Sequence, residues 1–174
     1  MKYFVKFFVI TLLVFICTHS FAEQKIVVLD MKFVLNESKA GKGAQDFLKK
    51  SFQDNQKKFS ELEKNLKSEE KDLLEKKTIL SKEEYSKKAN TLRKKVIDFQ
   101  TERRASLDKI ATQRAKSREI LLKKINPILD SYIKENSISL IIDKKHMIAG
   151  STKHDITNII VEKLNKELPS LNLK

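Results

Sequence analysis

The chain has 174 residues, of which 36 are Lys or Arg and 23 are Asp or Glu, so its formal net charge is +13. It contains one cysteine, which excludes an internal disulfide and leaves packing and assembly to hold the fold together. The positive charge predicts attraction to anionic partners that weakens as salt rises.

The first 22 residues have the pattern of a secretory signal peptide. A basic start is followed by a short apolar run over residues 7–17 and by the small residues Ser20 and Ala22, which predict cleavage after Ala22. The apolar run is too short for a comfortable transmembrane helix. The residues just before Cys17 are bulky, which disfavours a lipoprotein site. We therefore expect a soluble exported protein, located in the periplasm if the cell has an outer membrane.

A buried strand and a short helix are predicted next. Residues 25–30 form a β-branched run that is apolar on both faces, which is typical of a buried strand. Phe33 and Val34 then lie on one side of a short helix. Residues 39–43 contain Gly41 and Gly43 and are predicted to break the chain as a hinge or cap. They lack the further glycines of a nucleotide-binding loop.

Residues 43–125 are predicted to form two long antiparallel helices with a tip near residues 81–84. Ser81 followed by Glu84 is a capping-box pattern, so a helix is expected to start there. At 1.5 Å per residue each helix would be about 60 Å long. The outgoing 4-3 seam is Leu48, Phe52, Asn55, Phe59, Leu62, Leu66, Glu69, Leu73, Lys76 and Leu80. The returning seam is Tyr85, Ala89, Leu92, Val96, Phe99, Arg103, Leu107, Ile110 or Ala111, Arg114, Arg118 and Leu121.

The two helices of this predicted hairpin differ in charge. Residues 43–86 contain 10 basic and 10 acidic side chains, whereas residues 87–124 contain 13 basic and 4 acidic ones, a difference of +9. Most charge runs are solvated helix faces, but an excess on one helix implies an anionic partner. The candidate contacts for anionic lipid or for an acidic partner are Lys87, Lys88, Arg93, Lys94, Lys95, Arg103, Arg104, Arg114 and Arg118.

After the hairpin the chain returns to the region that holds the first strand. Pro127 allows a new helix start or a kink, residues 137–143 form a second buried strand, and residues 146–151 suit a turn and a weaker third strand. Asp155 or Thr152 can cap a final helix that Pro169 ends. The apolar stripe of that helix is Ile156, Ile159, Ile160, Leu164 and Leu168.

The predicted fold class is α+β, mostly α, with a small β-rich oligomerisation body and a long antiparallel coiled-coil hairpin. Residues 23–42 and 126–174 make up the body. These segments are too few for a large core, and short strands leave open edges, so the sequence predicts oligomerisation. The candidate oligomer core is Ile26, Val28, Leu140, Ile142, Ile156 and Ile160.

No catalytic, metal or cofactor motif is found. His146 and His154 are the only histidines after the predicted signal peptide, and no cysteine accompanies them, so a metal pair is a weaker interpretation than polar turn residues. Asp30 and Asp143 end the two strands and are better explained as residues that cap or turn the chain than as paired catalytic carboxylates. We therefore expect no enzyme activity, no cofactor and no metal.

Three short motifs in this order resemble the Skp/OmpH family of periplasmic chaperones: residues 27–31 (VVLDM), 139–143 (SLIID) and 155–157 (DIT). The resemblance covers the mature chain and implies a homotrimer whose helical arms enclose a cavity. It implies binding of unfolded outer-membrane β-barrel proteins without ATP, and association with anionic lipid or lipopolysaccharide. Apolar residues off the seam, Phe47, Leu74, Ile79 and Ile97, are candidates to line the cavity, although each could instead pack against the partner helix.

Two other functions fit parts of the pattern. A structural coiled coil of the envelope would keep the hairpin but would not need a basic or flexible arm. A nucleic-acid-binding protein would explain the charge, but the signal peptide disfavours that role, and only Tyr85 and Phe99 of the basic helix could stack on bases. We expect no specific nucleic-acid partner.

Overall fold

A computed structural model describes Tyr3 and residues 24–173, so the predicted signal peptide lies outside the described residues apart from Tyr3. The chain is mostly helical with a small sheet, as the sequence predicts. In chain order the strands and α-helices are β1 (Lys25–Leu29), α1 (Met31–Glu37), α2 (Lys39–Glu75), α3 (Lys82–Glu135), β2 (Ile138–Asp143) and α4 (Thr157–Glu167).

The sheet consists of β1 and β2, which run parallel although they lie more than a hundred residues apart in the chain. Val27 is paired with Ile141, and Leu29 with Asp143. Parallel strands need a crossover connection, and here the whole hairpin serves as that connection. The hairpin is therefore anchored at both ends in one small body.

The predicted third strand over residues 146–151 is wrong. Two 3₁₀ turns, Lys144–His146 and Thr152–His154, flank this segment, and no strand lies between them. The free edge of β1 is instead used by the start of the last helix, because the Ile156 amide donates to the Val28 carbonyl at 2.9 Å. A strand over residues 146–151 thus has no edge of β1 left to pair with in the single chain.

The core lies where α1, α4 and the last turns of α3 pack on β1. Val34, Ile125, Ile160 and Leu164 are fully buried there. They come from three helices that are far apart in sequence, so the core of the body forms only when these segments meet. Asp30 caps α1 by accepting a hydrogen bond from the Phe33 amide at 2.8 Å, which confirms its interpretation as a cap.

The predicted break at residues 39–43 is misplaced. The break lies at the buried Ser38, whose side chain caps α2 by accepting from the Gly41 amide at 3.2 Å. Gly41 and Gly43 both lie inside α2. A Cβ on Gly41 would clash with the backbone carbonyl of Leu35, so this glycine permits close approach of α1 and α2 rather than a hinge.

The tip of the hairpin agrees with the sequence. After the 3₁₀ turn Lys76–Thr78, Ser81 starts α3 with a capping box: its hydroxyl accepts from the Glu84 amide at 3.2 Å, and its own amide donates to the Glu84 carboxylate at 3.1 Å. Because two backbone donors are satisfied reciprocally, the turn is well defined.

Pro127 does not start a new helix, because α3 continues through it from Lys82 to Glu135. Proline has no amide hydrogen, so one backbone hydrogen bond of the helix is missing at this point. The same helix forms the returning side of the hairpin and part of the body core, through Ile125 and Ile128. The arm, which is the hairpin of α2 and α3, is thus joined to the body by the uninterrupted helix α3.

Candidate functional site

The fully buried residues of the hairpin seam all lie in its inner half, although the inner seam residues Phe52 and Leu107 are 50% and 43% exposed. Leu48 and Phe59 on α2 and Ile110 and Leu121 on α3 are buried. Further out, the apolar seam residues are only half-buried. The half-buried set is Leu62, Leu66, Leu73, Tyr85, Ala89, Leu92, Val96 and Phe99. The outer half of the hairpin therefore has less packing to stabilise it than the inner half.

An aromatic contact marks the boundary between these two halves. The rings of Phe59 and Phe99 meet edge to face, with centroids 5.9 Å apart and planes at 71°. The Lys58 ammonium lies 5.3 Å from the Phe59 ring centroid and 3.4 Å from the Glu102 carboxylate. This cluster joins α2 to α3 at the point where full burial of the seam ends.

Beyond the aromatic contact, a groove of about 580 Å³ runs between α2 and α3. Leu74 and Ile97 line it and remain 57% and 61% exposed, so two large apolar side chains from different helices share one solvent-facing groove. The complete lining is Glu63, Leu66, Lys67, Glu70, Leu73, Leu74, Tyr85, Ala89, Leu92, Arg93, Val96, Ile97, Phe99 and Gln100.

The groove brings together two of the four residues suggested as cavity lining, Leu74 and Ile97. Phe47 is half-buried near the base of the hairpin, and Ile79 is 81% exposed at the tip; neither contributes to the groove. Sequence reasoning placed Tyr85 and Leu92 in the seam and did not expect them to line a groove. The heptad pattern finds such residues, but it does not show on which side the seam opens.

The charges on the groove rim balance. Lys67 donates to Glu63 at 2.8 Å, and this hydrogen bond raises the pKa of Lys67 and lowers the pKa of Glu63. Glu70 and Arg93 also line the groove. With two acids and two bases, the rim has no net charge. It therefore favours an uncharged apolar ligand over an ionic one.

The nine basic residues suggested as anionic contacts all lie exposed on α3. Lys95 is engaged within the hairpin, because its ammonium lies 2.7 Å from the Glu69 carboxylate, and Arg93 donates to the Asn90 side chain at 3.1 Å. Among the described residues the others form no ion pair. These seven are Lys87, Lys88, Lys94, Arg103, Arg104, Arg114 and Arg118.

The six residues suggested as an oligomer core occupy two different environments. Val28, Ile156 and Ile160 are buried within the single chain. Ile142 is half-buried, while Ile26 and Leu140, which pair across the sheet, are 41% and 52% exposed. A second groove of about 460 Å³ lies beside Leu140. It is lined by Asn126, Leu129, Asp130, Ile133, Ser139, Leu140 and Ile141.

A polar network fixes the last helix to the sheet. The Asp155 carboxylate accepts from the Lys144 ammonium at 2.8 Å and from the Thr157 amide at 2.9 Å. The Thr157 hydroxyl in turn accepts from the Asp30 amide at 2.9 Å. Partial burial raises the pKa of Asp155, but the hydrogen bonds from Lys144 and Thr157 outweigh it and hold the pKa below its usual range.

The strand-terminal Asp143 and the two histidines lie in the turns that follow β2. Asp143 accepts from the Lys145 amide at 3.2 Å, which confirms its interpretation as a turn residue. His146 and His154 lie in separate exposed 3₁₀ turns. Residues 24–173 contain no cluster of three side chains suited to a metal ion. Within the same range, no helix has the length and hydropathy of a membrane span.

Known proteins are similar to this chain both in sequence and in fold. The model of the family described as outer membrane protein (OmpH-like) matches residues 25–164. A Skp-like protein from Pseudomonas aeruginosa is 26% identical over 170 residues, which cover 95% of this chain and 99% of that protein. The crystal structure of a protein described as an OmpH-like outer membrane chaperone, from Caulobacter crescentus CB15, matches with a TM-score of 0.79. It is 20% identical, and the match covers 90% of this chain and 93% of the other.

Proposed function

Because this chain belongs to the family described as outer membrane protein (OmpH-like), we propose that it is an ATP-independent holdase of the periplasm. It binds unfolded outer-membrane β-barrel proteins and keeps them soluble until they are delivered to the outer membrane. Such a protein acts by binding and not by catalysis. It needs surfaces that hold many unrelated apolar segments weakly enough to release them.

The observation that carries this proposal is the apolar groove on the outer half of the hairpin. Leu74 and Ile97 present apolar surface from two different helices to the same groove. Its net-neutral rim suits the uncharged apolar residues of a barrel strand. Because the half-buried seam permits small shifts of α2 against α3, one groove can adapt to different side chains. Many such weak contacts together bind an unfolded chain reversibly.

Assembly into a homotrimer is the second part of the proposal. The body has a two-stranded sheet in which Ile26 and Leu140 are exposed beside an apolar groove. A small core with exposed apolar strands is stabilised when copies bury these residues against one another. Three bodies joined in this way direct three arms to one side and enclose a cavity between their outer halves.

The basic returning helix supplies attraction over distance. Arg103, Arg104 and Lys94 are exposed and unpaired among the described residues, so their fields extend into solvent. This charge raises the encounter rate with acidic unfolded chains and supports association with anionic lipid or lipopolysaccharide. Capture by charge and retention by the apolar groove are thus separate steps on one arm.

The groove is tested by a double substitution, Leu74→Ser with Ile97→Ser. Both side chains are more than half exposed, so the fold is retained, while the apolar surface of the groove is reduced. We expect the amount of protein needed to suppress aggregation of a urea-diluted outer-membrane β-barrel protein to rise severalfold. The readout is turbidity against chaperone concentration.

The matched control is Leu107→Ser, which removes another partly exposed apolar side chain from α3 but lies outside the groove. It should suppress aggregation as well as the unsubstituted protein does. If the double variant and the control behave alike, the groove does not hold clients, and the apolar contacts must lie elsewhere on the arm.

A further inference from the structure

Two ion pairs cross from α2 to α3 on the hairpin. The Lys95 ammonium lies 2.8 Å and 2.7 Å from the two carboxylate oxygens of Glu69. The Lys58 ammonium lies 3.4 Å from the Glu102 carboxylate. The two pairs have opposite polarity, because the base is on α2 in one pair and on α3 in the other. They are therefore sensitive to how α2 is aligned along α3.

Both pairs lie on the edge of the seam that faces away from the groove. Lys58 and Glu69 are eleven residues apart, about three turns of helix, so they share one face of α2. Lys95 and Glu102 are seven residues apart, about two turns, and share one face of α3. None of the four lines the groove, whereas Ile97, which is about 200° around the helix from Lys95, does line it. The outer hairpin thus has one apolar edge and one ion-paired edge.

Glu69 stands at a seam position that the heptad pattern assigns to an apolar side chain, between Leu66 and Leu73. A carboxylate there buries no apolar surface, and an ion pair that is about half exposed contributes little stability. Polar seam residues in coiled coils fix the alignment of the helices at a cost in stability. The contact of both carboxylate oxygens with Lys95 suits Glu69 to that role.

The apolar seam alone does not select one alignment. Its residues recur every seven, so a shift of α3 by one heptad again places apolar residues against α2. One such shift brings Glu102 opposite Glu69, and it also brings a lysine, Lys109, opposite Lys58. Both pairs then become like-charged. The opposite shift brings Lys95 opposite Lys58, so that one pair becomes like-charged. Attraction at both sites occurs only in the alignment that the structure shows.

We propose that these two ion pairs are positioning pairs for the groove, which hold α2 and α3 in the alignment that brings Leu74 and Ile97 to the same groove. A shift of one heptad moves α3 along α2 by about 10 Å, which is enough to separate these two side chains. The half-buried outer seam offers little packing against such a shift, so the ion pairs supply the selection. The inference rests on the proposed holdase function, because the groove is its client site.

The pairs still allow small movements of the arm. Lysine side chains are long and flexible, so both pairs stay formed when α2 moves slightly against α3. The groove can therefore adapt to different apolar side chains without losing its lining. Because both pairs are exposed, added salt weakens this control of the alignment.

The functional test reverses the charges of one pair. Glu69→Lys and Lys95→Glu each place like charges opposite one another. Each is expected to raise severalfold the amount of protein needed to suppress aggregation of a urea-diluted outer-membrane β-barrel protein. The double variant restores the pair with reversed polarity and keeps the net charge, so it should act as the unsubstituted protein does. Opposite effects of the two single variants would assign them to attraction of the client and overturn the proposal.

The matched control is Glu61→Lys, which makes the same change of charge on an exposed residue of α2 that has no ion pair among the described residues. It is expected to leave the suppression of aggregation unchanged. A loss equal to that of Glu69→Lys would mean that the added charge alone causes the effect, and the proposal would then be wrong.

The alignment itself is measured by crosslinking within one chain. The chain beyond the predicted signal peptide has no cysteine, so Lys58→Cys with Glu102→Cys supplies two thiols that a short bismaleimide joins when they are adjacent. The pair of Glu69 and Lys95 is then left to hold the alignment. Adding Glu69→Lys is expected to lower the intrachain yield severalfold while the helical content, measured by circular dichroism, stays the same. Adding Lys95→Glu as well should restore the yield.

An unchanged crosslinking yield overturns the proposal. A yield that falls together with the helical content assigns the pair to helix stability, which overturns it as well. The crosslinking needs no client. If the unsubstituted protein fails to suppress aggregation, the holdase function fails, while the crosslinking still decides whether the ion pairs set the alignment.

Discussion

At the scale of single residues, two glycines two positions apart in α2 have opposite roles. A side chain on Gly41 would clash with the Leu35 backbone, whereas a Cβ on Gly43 would meet no atom within 4 Å. The same substitution is therefore expected to have opposite effects at the two positions.

We predict that Gly41→Ala lowers the free energy of unfolding by about 1–3 kcal/mol, because α1 must move away from α2. Gly43→Ala should raise it by about 0.5–1 kcal/mol, because alanine loses less backbone entropy in a helix. Urea denaturation at one fixed protein concentration measures both. Equal effects of the two substitutions would contradict the close helix approach that we describe.

The Asp155 network has a defined pH dependence. Since the folded-state pKa of Asp155 is lowered, its ionised form contributes stability above the usual aspartate pKa of about 3.9, and this contribution is lost as the pH falls through the lowered value. We predict that Asp155→Asn lowers the stability at neutral pH and reduces the loss of stability on acidification. Denaturation midpoints at pH 7 and in the acid range provide the measurement.

The control for Asp155 is Asp98→Asn, which removes an exposed carboxylate on the arm. It should leave the stability of the body nearly unchanged at both pH values. An acid dependence of Asp155→Asn that is identical to that of the unsubstituted protein would show that this carboxylate does not stabilise the body.

At the scale of elements, the fully buried seam residues of the hairpin lie on the body side of the Phe59–Phe99 contact, and the apolar seam residues on the tip side are half-buried. Removing a buried phenylalanine side chain usually costs about 3–5 kcal/mol. Because Phe59 contacts only the two arm helices and no part of the body core, that cost should fall on the arm alone.

We predict that Phe59→Ala leaves the body folded and accelerates hydrogen exchange in the outer arm, on both sides of the tip. Phe52→Ala is the matched control, since Phe52 lies on the same helix but is half exposed. It should have a much smaller effect. Hydrogen exchange followed by mass spectrometry resolves the two regions, and faster exchange throughout the body would contradict the independence of the arm.

The hairpin could be predicted from the sequence because its signals are local. The heptad seam, the missing prolines and the Ser81–Glu84 capping box each act within a few residues of one another. The third strand and the glycine break were misjudged because they depend on distant partners. Asp155 and Ile156 occupy the edge of β1, and Gly41 is required by the Leu35 carbonyl.

The groove of the candidate site could likewise be predicted only in part from the sequence. Leu66, Leu73 and Leu92 follow the seam pattern whether the seam closes fully or opens on one side. Which of these occurs depends on the packing of α2 against α3 along their whole length. The exposed Leu74 and Ile97 could be suggested from sequence as off-seam residues, but their position on one shared groove could not.

At the scale of the whole molecule, the parts form one mechanism. In the proposed mechanism the body provides exposed apolar strand residues for assembly, the long α3 connects the body to the arm, and the outer arm carries apolar and basic surfaces. A structural coiled coil of the envelope would use the hairpin but would not need the apolar groove. The central claim is therefore that assembled arms enclose an unfolded chain.

The most direct test is the mass of the protein in solution, alone and after mixing with a urea-diluted outer-membrane β-barrel protein, by light scattering. Our account predicts a homotrimer that becomes a single discrete complex, with aggregation of the barrel protein suppressed. A particle whose mass does not change in the presence of the unfolded protein, and which leaves its aggregation unaltered, would contradict the holdase function and favour a structural coiled coil.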